Sequence, residues 1–164
     1  PRPGGQVHHP GAAAAHRRLS IDTRPVRNER DVMKKFTLPV AHSDHRGSII
    51  DLIENEAINS VTMITFTKGA VRANHFHKQT TQWNYVVSGK IRLVSAMPDT
   101  APVQVVLEKG DLAATYPMEQ HALLGLEDAE VLVFTKGPRG GKEYESDTFR
   151  LETPLIDPNA KGLA

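Results

Sequence analysis

From Ser48 to Thr135 the chain is a succession of short runs rich in β-branched residues, each closed within a few positions by a turn signal. No stretch sustains the period of 3.6 that a helix with one buried face requires. Val, Ile and Thr suit a pleated, half-buried surface. The expected strands are Ser48–Glu54, Ser60–Phe66, Val71–His77, Trp83–Val87, Lys90–Ala96, Val103–Leu107, Leu112–Thr115, Ala122–Gly125 and Glu130–Thr135. Between them, Glu56-Ala-Ile-Asn59, Thr67-Lys-Gly69, Ser88-Gly89, Pro98-Asp-Thr-Ala-Pro102 and Glu108-Lys-Gly-Asp111 hold the residues that turns favour. Many short strands at this spacing predict an all-β sandwich or barrel.

The first part of the chain has a different texture. Residues 1–32 hold six arginines and three acidic residues, are rich in Pro, Gly and Ala, and lack hydrophobic periodicity. Such a segment buries too little surface to offset its ordering entropy, so a disordered tail is expected there. Residues 33–164 carry the single folded domain, with fourteen Lys and Arg against sixteen acids. The first methionine is Met33, and the functional protein is expected to start there, residues 1–32 being upstream or targeting sequence. The body has no basic stripe with interleaved aromatics, so nucleic acid is not an expected partner. No run reaches the length of a membrane-spanning helix, and no membrane partner is expected. The chain has no cysteine, which excludes disulfides and thiol chemistry and fits a cytoplasmic setting.

Chemistry concentrates between Gly69 and Gly89. In a strand, residues i and i+2 share a face, so His75 and His77 aim two imidazoles at one point while Asn74 and Phe76 face away. By the same rule Gln82 and Asn84 share a polar face, and Trp83 and Tyr85 turn outward. His121, after Pro117, supplies a third imidazole just before an expected strand. Three histidines with Gln82 can hold Zn, Fe, Mn or Ni, although a neutral amide in place of a carboxylate weakens the site. Without a metal, one imidazole can act as a general base. Arg72 lies an odd number of residues from His75, so it shares the face only if a bulge intervenes.

The spacing of Gly69, His75, His77 and Gly89 resembles the first motif of the cupins, with Gln82 where that motif usually carries an acidic residue. Gly110, Pro117 and His121 resemble the looser second motif. A narrower resemblance links the chain to the nucleotide-sugar cupins, the 3,4-ketoisomerases and the dTDP-4-dehydrorhamnose 3,5-epimerases. Arg72, His75, His77, Lys78 and Gln82 match the ketoisomerase pattern R-x-x-H-x-H-K-x3-Q, and Tyr144-Glu-Ser146-Asp147 resembles its late Y-x-x-S-D. The preceding strand reads Val61-Thr62-Met63-Ile64 where that family usually has tyrosines. The resemblance implies an RmlC-like jelly-roll barrel, a homodimer and a nucleotide-linked 4-keto sugar as substrate. It implies no required cofactor. His75 and His77 would be catalytic; Arg72, Gln82, Asn84, Arg46 and Tyr144 would contact substrate. The alternatives that the residues leave open are a metal-dependent cupin using His75, His77, Gln82 and His121, and a sugar-binding cupin without catalysis.

Overall fold

The computed structural model describes residues 32–140 and 142–160. The expected tail over residues 1–32 therefore lies outside the described residues, except for Val32. The strands are β1 (Lys34–Phe36), β2 (Val40–Asp44), β3 (Gly47–Ile50), β4 (Ser60–Phe66), β5 (Val71–Phe76), β6 (Thr81–Ser88), β7 (Lys90–Ala96), β8 (Val103–Glu108), β9 (Leu112–Thr115), β10 (Gln120–Gly125), β11 (Ala129–Lys136) and β12 (Phe149–Arg150), with one short helix, α1 (Glu143–Ser146). They form two five-stranded sheets, ordered β1-β9-β6-β11-β4 and β12-β5-β10-β7-β8, and a separate β2–β3 hairpin. Every pairing is antiparallel. The two ladders face each other and do not join into a closed barrel among the described residues.

The side-chain period of two decides what lies between the sheets. Val86, Ala113, Val131 and Val133 of one sheet meet Ile91, Leu93, Leu107 and Leu123 of the other in one buried cluster. Burying each large aliphatic side chain contributes roughly 1.5–3 kcal/mol. The outward faces are also covered. Trp83, Leu112 and Ala114 pack under Phe36, Leu38, Ile53 and Ile58. Val94, Ala122 and Leu124 pack under Ile156 of the C-terminal segment. Trp83 and Tyr85 thus point out of the interior, as alternation requires, and serve packing.

Ser60–Phe66, Lys90–Ala96 and Leu112–Thr115 agree with the expected strands at both ends, and most of the others differ only by a residue or two at their ends. The expected Ser48–Glu54 is too long. Pairing stops at Ile50, opposite Val40, and Asp51–Glu54 leaves the ladder so that Ile53 can reach the outer cluster. Strands β1, β2 and β12 are not among those expected. β1 carries no β-branched residue and is fixed by pairing with β9, from Lys34 opposite Ala114 to Phe36 opposite Leu112. The turn at Ser88-Gly89 demands its glycine: φ is +74° there, and a Cβ would lie 2.0 Å from the Asp128 carbonyl oxygen.

Candidate active site

Three imidazoles converge between the sheets. His75 is near the end of β5, His77 follows that strand directly, and His121 on β10 is the cross-strand partner of His75. The His75 ring centroid is 4.7 Å from that of His77 and 4.8 Å from that of His121, and the latter two are 5.5 Å apart. One nitrogen from each lies within 4.8 Å of the others.

Backbone carbonyls fix the orientation of two of these rings. His77 Nδ1 is 2.7 Å from the Asp147 carbonyl oxygen, and His121 Nδ1 is 3.0 Å from that of Glu119. A carbonyl only accepts, so each Nδ1 carries the proton and each Nε2 keeps its lone pair. Both Nε2 atoms are buried and have no partner among the described residues. Burial holds all three rings in the neutral form. It lowers the His121 pKa to about 4. It lowers that of His75 to about 2, helped by its two imidazole neighbours. His77 is lowered as well, against the opposing pull of Asp147.

Asp147 builds the turn after His77. Its buried carboxylate accepts the Lys78 and Gln79 N–H groups at 2.9 and 3.2 Å and the Thr80 hydroxyl at 2.6 Å. A charged acceptor serving three donors stiffens the loop that carries the imidazole. A second device sits upstream. Ala73 opposes Ala122 and His75 opposes His121, which leaves Asn74 as an extra residue in β5. Ala73 and Asn74 both take left-handed backbone angles, φ +68° and +54°. Asparagine tolerates that region, whereas alanine there costs about 1–2 kcal/mol. The C-terminal segment secures the bulge. Asn74 Nδ2 donates to the Ile156 carbonyl at 2.9 Å, and its Oδ1 accepts the Ile156 N–H at 3.2 Å.

The bulge puts Arg72 opposite Leu123, on the same face as His121 and His75. Its guanidinium nevertheless lies over the Phe66 ring and donates to the Thr65 carbonyl at 3.1 Å, at an exposed rim. Gln82 and Asn84 face inward from β6, both buried. Gln82 stands between Thr115 and Thr135, and no hydrogen bond joins it to the imidazoles among the described residues. Tyr144 comes to the site from α1, its ring centroid 6.5 Å from His75 and 6.2 Å from His77. Arg46 does not. It is exposed in the β2–β3 turn and paired with Asp44 at 2.6 Å, and that hairpin joins neither large sheet. Lys78 turns away too, its ammonium 4.2 Å from the Phe149 ring. Sequence reasoning did not single out Asn74, Glu119, Asp147 as an anchor, or Arg139, whose guanidinium stacks on Tyr144 at 4.1 Å.

Residues 42–149 match the family described as polysaccharide biosynthesis C-terminal domain. The chain belongs to that family. Among solved structures, this family member is similar to the QdtA 3,4-ketoisomerase from Thermoanaerobacterium thermosaccharolyticum, at 21% identity over 73% of this chain and 87% of that one, with a TM-score of 0.60. It is similar to the Mycobacterium tuberculosis RmlC epimerase at 14% identity over 76% and 71%, TM-score 0.62. A 3,4-ketoisomerase from Helicobacter canadensis gives 20% identity over 73% and 90%, TM-score 0.61. The fold is the RmlC-like cupin fold. No curated protein matches the sequence.

Proposed function

We propose that this family member is an isomerase or epimerase acting on a nucleotide-linked 4-keto sugar, with His77 or His75 as the base. The observation that carries the reading is the His77 ring. Its Nδ1–H is committed to the Asp147 carbonyl, its Nε2 lone pair is buried and without a partner among the described residues, and burial keeps it uncharged. A neutral imidazole held in one tautomer is ready to accept a proton from a carbon acidified by a neighbouring ketone. Gln82, Asn84 and Tyr144 offer polar contacts around it, with Arg72 at the rim and Arg46 available only from the exposed hairpin. The fold-level likeness to enzymes of this class agrees; a histidine-to-asparagine mutant of the Thermoanaerobacterium protein has been captured with TDP-4-keto-6-deoxyglucose. Incubating the purified full chain with that compound in deuterated water should label the carbon beside the ketone, and His77→Asn should abolish labelling. Absence of both labelling and binding in the wild type would end the reading.

A second reading starts from the same three histidines. Three neutral imidazoles whose ring nitrogens lie within 4.8 Å, two of them secured through Nδ1 by carbonyls, suit a divalent ion such as Zn, Fe, Mn or Ni. Such an ion would supply Lewis-acid polarisation of a carbonyl. Elemental analysis of untagged protein separates the two: stoichiometric metal lost in His77→Ala supports this reading, and full activity in metal-free protein counters it. A homodimer is supported by β4, an edge strand exposing Val61 and Met63, and by the hairpin exposing Val40, Ile49 and Ile50. A monomer in sedimentation velocity at working concentration would oppose it.

A further inference from the structure

One cation stacks on the tyrosine beside the imidazoles and has no counter-charge among the described residues. Arg139 follows β11, with Tyr144 beneath its guanidinium at 4.1 Å and its Nη2 donating to Thr62 Oγ1 at 3.4 Å. Thr62 opposes Val133, so it lies on the inward face of β4. Tyr144 in turn stands beside His75 and His77. The guanidinium is therefore held between one large sheet and α1, on the side of the site where the imidazoles lie. Its charge reaches both, since it contributes to lowering the pKa of His75 and of His77. Arg46 and Arg150 are neutralised by Asp44 and Glu145, whereas Arg139 meets no carboxylate among the described residues. A guanidinium has five N–H donors, and the Thr62 hydroxyl takes one.

We propose that Arg139 is a catalytic residue that binds the oxyanion formed when a ketone-activated carbon loses its proton in this pocket. This rests on the isomerase reading above. A neutral imidazole Nε2 takes the proton, the C–H electron pair becomes part of a carbon–carbon double bond, and the carbonyl π pair moves onto oxygen. The products are an imidazolium and an enolate, and the Arg139 N–H groups hold the enolate oxygen. Return of the proton restores the ketone and the neutral ring, with nothing oxidised or reduced overall. The other nearby cations are less suited. Arg72 is engaged at the rim with Thr65 and Phe66. Lys78 lies on Phe149, which stacks on Phe76, a residue that alternates away from the imidazoles.

The test uses Arg139→Ala and Arg139→Lys in the full chain, with turnover of TDP-4-keto-6-deoxyglucose, TDP affinity by calorimetry and thermal midpoint measured for each. The alanine variant should lose about 100- to 1,000-fold in kcat. Its TDP affinity should stay within about twofold, because the contact forms with the reacting oxygen, and its thermal midpoint should fall only by the few degrees that the Tyr144 stack and the Thr62 contact are worth. The lysine variant should regain about tenfold by restoring charge without the fork. Wild-type turnover that Arg139→Ala leaves intact overturns the assignment alone. So does a loss of TDP affinity as large as the loss of rate, which makes Arg139 a diphosphate contact. Wild-type protein that neither binds nor turns over the sugar overturns the reaction and this role with it.

Discussion

Replacing His121 with asparagine tests how strongly the interior excludes a charged imidazole. His121 is fully buried and its pKa falls from 6.5 to about 4, with burial as the first cause. The unfolded chain protonates this ring near pH 6.5, while the folded chain resists until about pH 4. A lowered folded-state pKa therefore contributes stability that is complete above pH 6.5 and is lost as pH falls towards 4. At 1.36 kcal/mol per unit, the loss over that window is roughly 3 kcal/mol. Asparagine does not titrate, so the variant should lose that much less than the wild type on acidification. Urea unfolding of chelator-treated protein at 25 °C, stepped from pH 7 to pH 4.5, reads both slopes. Stability curves that run parallel would show that His121 is not the desolvated group described.

Asp147→Ala should destabilise by about 3 kcal/mol, because the Lys78 and Gln79 N–H groups and the Thr80 hydroxyl lose a buried charged acceptor. Urea midpoints check this, and a change under about 1 kcal/mol would remove the carboxylate's role in building the loop. Gly89→Ala should cost about 3 kcal/mol or prevent folding, since its Cβ would meet the Asp128 carbonyl oxygen at 2.0 Å on a positive φ. Thermal melts of purified variant and wild type decide it, and an unchanged midpoint would contradict the turn geometry.

The histidine pair was legible because a strand has a period of two and only residue type is needed to see it. The same rule sorted Gln82 and Asn84 inward from Trp83 and Tyr85 outward. The remaining features are non-local. The Asp147 carbonyl reaches His77 across 70 positions, and Ile156 fastens Asn74 across 82. Nothing near either residue signals the partner. Arg139 follows Gly137 and Pro138, where an arginine reads as a solvated loop residue until Tyr144 is folded beneath it. The short strands β1 and β12 carry little propensity of their own and take their form from the neighbours they pair with. The bulge had one local hint, an asparagine at position 74, but an asparagine alone does not distinguish a left-handed kink from a regular strand.

That kink gives the gap between Gly69 and His75 a meaning. Asn74 adds a step that advances the chain without advancing the alternation, so the count of residues decides which way each later side chain looks. Deleting a paired position while the kink stays would behave like a frame error, turning either Arg72 off the face it shares with His121 or the imidazoles out of the interior, while leaving composition nearly unchanged. Relatives that keep this pocket should therefore vary freely in the letters of that interval and hardly at all in its length.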